Sequence, residues 1–257
     1  MTRKCYRCGV QLTGSNQSKE HIIPNACGGR WYSYDLLCKD CNSKLGDSID
    51  NELAKQVNDI ANLLQIRRHK GTPNPTKGIL ESSGETYYIQ NNGKPVISQP
   101  IIDYESDNNH IFIRVKNESK LREVLQGLKR KREHSKIDVE KLVKEAQKEK
   151  VFFNEPIKIQ QSGGGENIFR AITKIAINFF VEKTGKINDI NNVLPFINDG
   201  ENNNFAWIHY PDKEIYQPNN NEVSHVLHLQ GKQNENILYC YIELFNCFNF
   251  IVFLNNN

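Results

Sequence analysis

No stretch of the 257 residues approaches the run of about twenty apolar residues that a membrane-spanning helix requires, and Met1 to Cys8 is polar, without the apolar centre of a secretory leader. These two absences predict a cytoplasmic protein with no membrane partner. No internal repeat is visible, so repeat architectures are set aside. The triple glycine Gly163 to Gly165 is not followed by the Lys-Ser/Thr pair of a phosphate-cradling loop and reads as a flexible linker. His225 and His228 lack a common face, because an odd separation on a strand sends two side chains to opposite sides, so a shared ion is not expected.

Charge of one sign is scarce overall, with a net of +3, but its distribution is uneven. Residues 1–70 carry 11 Lys+Arg against 7 Asp+Glu, residues 118–150 carry 11 against 7, and the remainder carries 11 against 16. Basic charge gathered in two segments suits a polyanionic partner, although lysine-rich helix faces also occur simply as solvated surface. The clusters Arg67-Arg68-His69-Lys70 and Lys129-Arg130-Lys131-Arg132 are the phosphate-contact candidates, with Arg67, Arg68, Lys70, Lys129, Arg130, Lys131 and Arg132 as the contact residues.

Cysteine is present in an odd number, seven, and four of the seven form two Cys-x-x-Cys pairs, Cys5/Cys8 and Cys38/Cys41. In a reducing compartment this pattern points to metal more than to disulfides. Four thiolates in two knuckles are the ligand set of a tetrahedral structural zinc, and closing the intervening loop with metal would fold a module too small to stand alone. By themselves the cysteines describe a zinc ribbon without catalysis. Cys27, Cys240 and Cys247 read as a loop thiol and two apolar strand positions.

Between the knuckles lie Glu20-His21-Ile22-Ile23-Pro24, Gly28-Gly29-Arg30 and Tyr34-Asp35-Leu36-Leu37, and Asn42 follows the second knuckle. An acidic residue beside a histidine puts a metal ligand and a general base in adjacent positions. The chemistry this permits is phosphodiester hydrolysis: a divalent cation held by Glu20 and Asn42 binds a phosphate oxygen, and neutral His21 takes a proton from the attacking water. Arg30 is a candidate for binding the scissile phosphate, or a hairpin arginine held by local carboxylates. Lys39 and Lys44 flank Asn42, where a short helix is expected to begin, and are further candidates for backbone phosphates or simply solvated lysines.

The order Cys-x-x-Cys, Glu-His-Ile-Ile-Pro, Gly-Gly-Arg, Leu-Cys-x-x-Cys-Asn-Ser-Lys-x-Gly over residues 1 to 66 resembles the HNH endonucleases, including bacterial restriction and phage-defence nucleases. The resemblance implies a ββα-metal fold, His21 as general base, Glu20 and Asn42 as ligands of a catalytic divalent metal (Mg, Mn or another transition metal), and Cys5, Cys8, Cys38 and Cys41 around a structural Zn. It also implies DNA as substrate, with RNA second, cleaved to a 5′-phosphate and a 3′-hydroxyl. One position departs from the pattern. Asp35 stands where the family has the Asn that braces the general-base loop, and Asp can accept but not donate the bracing bonds unless protonated. Asp35 is read either as that brace or as a surface-turn residue. The alternative function is a zinc-stabilised nucleic-acid-binding or regulatory protein without activity.

The expected fold is α+β: a zinc-stabilised HNH module over 1–70, a linker over 71–80 (Pro73, Pro75, Gly78), and a helix plus antiparallel-sheet domain over 81–257 for target recognition, dimerisation (a homodimer) or regulation. Asp47 reads as the N-cap of a helix in which Ile49, Leu53, Val57, Ile60 and Leu64 recur at helical spacing. Strands are expected over 86–89, 95–98 and 110–115, charged helices over 118–150, a core helix through Ile168, Ile172, Ile175 and Phe179, and strands over 205–210, 223–229, 237–245 and 248–254. Trp207, Tyr210, Tyr239 and Tyr241 are sheet packing or a base-stacking surface.

Overall fold

The computed structural model describes residues 3–104, 110–131, 136–150, 152–161, 163–201, 205–210, 212–213 and 222–255. The chain divides into two compact units, one made of Met1–Pro73 with Gln161–Asn257 and the other of Asn74–Gln160. Residues 161–257 thus group with the N-terminal module, whereas the sequence pattern suggests a single domain over 81–257.

The first unit opens with a two-stranded hairpin, β1 (Glu20–His21) and β2 (Tyr32–Ser33), which pairs Glu20 with Ser33 and His21 with Tyr32. Two glycines make the loop between them possible. Gly28 lies at φ +87°, where L side chains are strained, and a Cβ on Gly29 would sit 1.8 Å from the Ile23 carbonyl oxygen. Three helical segments follow, α1 (Lys39–Leu45), α2 (Asn51–Gln56) and α3 (Asn58–Leu63), with a π-helical turn at Gly46–Asp50 between the first two. The helix therefore starts at Cys38, not at Asp47 as the pattern suggests: Gly46 has helical dihedrals (φ −61°, ψ −47°), and Asp47 lies inside the run. Ile49, Leu53 and Val57 form the buried stripe, Ile60 is half-buried, and Leu64 has turned outward.

The second unit pairs β3 (Thr76–Ile79), β4 (Thr86–Ile89) and β5 (Pro95–Ile97) as an antiparallel sheet, so part of the stretch that reads as linker is a strand. The Asn91-Asn92-Gly93 turn joins β4 to β5, with Gly93 at φ +76°. β6 (Ile101–Tyr104) and β7 (Ile111–Arg114) form a separate hairpin. Next come α4 (Glu118–Lys129) and α5 (Val139–Glu145), each capped by a side chain: Asn117 accepts from the Lys120 N–H and Asp138 from the Lys141 N–H. Leu121 and Leu125 pack against Val139 and Val143.

The chain then returns to the first unit as α6 (Glu166–Thr184), followed by α7 (Leu194–Asp199) and a four-stranded antiparallel sheet. The sheet contains β8 (Ala206–Ile208), β9 (His225–Lys232), β10 (Ile237–Leu244) and β11 (Phe248–Asn255) in the order β8-β11-β10-β9. The β10–β11 turn uses Phe245 and Asn246 at φ +57° and +59°, two successive left-handed residues as a tight hairpin requires. A sequence that is apolar nearly all round makes α6 a central helix, buried from Ile168 through Val181 on more than one face. One continuous core joins Tyr6, Leu36, Leu37 and Ile49 to Ile172 and Ile175 of α6 and to Ile242 and Val252 of the sheet. Among the described residues no helix is long and apolar enough to cross a membrane.

Candidate active site

The two knuckles meet. Sγ atoms of Cys5, Cys8, Cys38 and Cys41 all lie within 4.8 Å of one another, with Cys8 and Cys38 at 3.8 Å. Zn–S bonds of about 2.3 Å at tetrahedral angles separate sulfurs by about 3.8 Å, so the cluster suits a zinc ion. The first knuckle closes through the Gly9 N–H to the Cys5 carbonyl, with Gly9 at φ +74°. The second caps α1 at Cys38, whose carbonyl accepts the Asn42 N–H. Burial, with the neighbouring thiols, pushes the Cys41 thiol well above its usual range, a resistance to ionisation that a bound cation would relieve. Among the described residues this is the one group of three or more Cys, His, Asp or Glu ligand atoms close enough to share an ion.

Next to the second knuckle, a groove of about 480 Å³ is lined by β1, the loop after it, and one face of the α1–α2 run; His21, Glu20, Asn42 and Asp50 all face it. Asn42 sits in the first turn of α1, and its amide donates to the Lys19 carbonyl at 3.4 Å. His21 is half-buried, and its Nε2 is enclosed without a hydrogen-bond partner. Burial lowers its pKa below the ordinary 6.5, and the positive neighbourhood of Lys19, His69 and Lys174 lowers it further, so the ring is neutral at pH 7. The His69 ring stands 5.8 Å from that of His21, with Tyr32 at 6.0 Å, and Lys19 lies 3.9 Å over the Tyr32 ring.

Glu20 is buried and held by two residues of α6. The Lys174 ammonium lies 2.7 Å from Glu20 Oε1 and 2.5 Å from Asp50 Oδ2, and the Asn178 amide donates to Glu20 Oε1 at 2.8 Å. Burial pushes the Glu20 carboxyl up while Lys174 and Asn178 counter it. For Lys174 burial opposes the charge, but Glu20 and Asp50 outweigh it and hold the ammonium above its ordinary value. Asp50 Oδ1 is buried with no partner. Asp50, Lys174, Asn178 and His69 were not singled out by the motif. The available signal was a lysine and an asparagine four residues apart in the mainly apolar middle of a helix.

Other candidates are placed elsewhere. Asp35 does not line the groove; its carboxylate pairs with Arg3 at 2.6 Å. Arg30 is exposed and also outside the groove lining. Arg67 and Lys70 are exposed, and Arg68 is partly buried and donates to the Ala26 carbonyl. Asn25, which lines the groove, anchors this segment by accepting from the backbone N–H groups of His69 and Lys70. Lys129, Arg130 and Lys131 are exposed at the end of α4 in the other unit, and Arg132 lies outside the described residues. Trp207 and Tyr210 are exposed, whereas Tyr241 is buried and donates to Glu243. Cys27 lies in the β1–β2 loop, as expected, yet it is a core residue like Cys240 on β10, and burial pushes both thiols up to about 12; Cys247 is not an apolar strand position but an exposed residue of the β10–β11 turn.

Residues 5–58 match the model of a family described as HNH endonuclease. This stretch spans both knuckles, the β1–β2 hairpin and the α1–α2 run, so the N-terminal module is an HNH-family domain with a site suited to zinc, and the family supports a nuclease-type activity on nucleic acid. No curated protein and no solved structure matches the chain.

Proposed function

We propose that the N-terminal module hydrolyses DNA phosphodiester bonds, with His21 as general base and the groove as substrate site. The observation that carries this reading is the neutral His21 ring, whose Nε2 has no partner and which shares the groove with Glu20, Asp50 and Asn42. A neutral imidazole that lines the groove is the group positioned to take a proton from a water there, and a lowered pKa keeps it ready to do so at neutral pH.

The groove fits a hard divalent cation. It offers carboxylate and amide oxygens, and one of these, Asp50 Oδ1, is buried with no partner. Glu20 and Asn42 would hold the ion, with Asp50 beside them. Because these carboxylates and His21 do not by themselves form a three-ligand cluster, water or phosphate would complete the shell. When bound, Mg, Mn or a related ion would polarise the phosphate and stabilise the leaving oxygen. Lys19 lines the groove and Lys70 is tied to groove-lining Asn25, so both supply positive charge where the DNA backbone would lie. A thiolate zinc site suits the reducing cytoplasm, and resemblance to defence nucleases makes restriction of foreign DNA the role we favour. Cleavage of matched DNA and RNA duplexes with Mn or Mg, beside a chelated control, tests the substrate class. DNA cleavage abolished by the chelator is expected, and preferential cutting of RNA would overturn the DNA assignment.

One observation favours the inactive alternative, a zinc-stabilised nucleic-acid-binding protein: Lys174 already pairs with both Glu20 and Asp50. That reading expects DNA binding that is indifferent to His21 and no strand breaks with any divalent ion.

A further inference from the structure

Asn178 occupies a position that no part of the N-terminal motif supplies. It lies on α6, 158 residues from Glu20 in sequence, and its side chain touches the Glu20–His21 dipeptide twice. The amide Nδ2 donates to Glu20 Oε1 at 2.8 Å and to the His21 backbone carbonyl at 3.2 Å. The other end of that amide is held by the buried Tyr6 hydroxyl, which donates to Asn178 Oδ1 at 2.8 Å. Nδ2 faces β1 because the Glu20 carboxylate and the His21 carbonyl can only accept; a flipped amide would lose both of those bonds. β1 itself is two residues long and, among the described residues, pairs with β2 alone, so its own ladder gives His21 little rigidity.

We infer that Asn178 is a positioning residue of the nuclease site, fixing the Glu20 side chain and the backbone that carries His21, with Tyr6 orienting it and Lys174 anchoring the same Glu20 oxygen. The inference rests on the nuclease reading above for its catalytic consequence, but its geometric content stands apart from that reading. The site is completed only when the C-terminal segment is folded on the N-terminal module, which explains why Lys174 and Asn178 are kept on the buried stretch of α6. Lys174 and Asn178 are one turn apart and so present both groups to one strand.

The test uses the full-length zinc-loaded protein, wild type and Asn178→Leu, Tyr6→Phe and His21→Ala, at a temperature where each is folded by circular dichroism. Asn178→Leu should lower kcat on DNA by about 10- to 100-fold, the range for groups that support catalytic side chains from behind, with KM for DNA unchanged. Tyr6→Phe, which removes one hydroxyl and keeps the fold should the leucine variant not survive, should lower kcat less and in the same sense. Hydrogen exchange read by mass spectrometry should show the peptide containing residues 20–23 exchanging about tenfold faster in Asn178→Leu, with β10 peptides unchanged. Unchanged kcat together with unchanged exchange, or a rise in KM alone, would overturn the assignment. If the wild type cuts no DNA, or cuts equally after His21→Ala, the nuclease reading fails, and the exchange data alone decide whether Asn178 fixes the Glu20–His21 backbone.

Discussion

Lys174 and Glu20 leave water together, with Asp50 only half-buried beside them, and each buried ion carries a desolvation penalty of several kcal/mol that mutual attraction must offset. Removing one partner leaves the others uncompensated. Lys174→Met should therefore destabilise the protein by about 3–5 kcal/mol in urea unfolding, and added Mn should restore part of it, since the two carboxylates would then lack any internal cation. A metal-indifferent variant of wild-type stability would contradict this account. A second buried group sets a pH dependence. His225 Nε2 donates to the Cys27 carbonyl while Nδ1 accepts from the Phe245 N–H, so the folded state requires the neutral ring. Burial lowers its pKa from the ordinary 6.5, which means the unfolded chain takes up the proton first as pH falls. Its contribution is fully present above about 6.5 and is lost as pH drops toward the folded value. Urea midpoints should fall between pH 7.5 and pH 5.5 by more in wild type than in His225→Gln, and equal falls would refute the assignment. His21, Glu20 and Asn42, which line one groove, stand out in the sequence because they sit inside a contiguous motif. Lys174 and Asn178 do not, because their meaning depends on a contact made across more than a hundred residues.

At the level of elements, the hairpin and its loop hold the site in place. Gly29 packs so closely on Ile23 that a methyl group would strike backbone, which cannot rotate aside. Gly29→Ala should cost about 2 kcal/mol or more through overpacking and should lower the melting temperature, whereas an unchanged melting curve would show that the loop relaxes freely. The helix after the second knuckle shows where periodicity misleads. Gly46 and Asp47 look like a start signal, yet Cys38 already opens the helix and a π turn absorbs Gly46 to Asp50, rotating Asp50 into contact with Lys174. Local propensity carries no information about that extra residue per turn. The strand β3 escaped the pattern for a related reason: Pro73, Pro75 and Gly78 punctuate it, and only pairing with β4 makes it a strand. The core helix and the three long C-terminal strands were legible throughout, because long apolar repeats leave few alternatives.

Across the whole molecule, the HNH module and the C-terminal segment share one core, so neither closes a hydrophobic interior alone. A fragment of residues 1–73 should stay protease-sensitive even with zinc, while the full chain resists digestion and loses that resistance to a strong zinc chelator. A stable zinc-loaded fragment would show instead that the knuckles suffice. The expected boundary near residue 71 is visible in the sequence as prolines and glycines, but the return of the chain at 161 is not, since it is written only in which apolar faces meet. The central claim concerns His21. Supercoiled plasmid incubated with Mn and the full-length protein should be nicked or linearised, and His21→Ala should reduce the rate by about 100-fold or more with zinc content and fold intact. Equal cleavage by the two proteins would contradict the account.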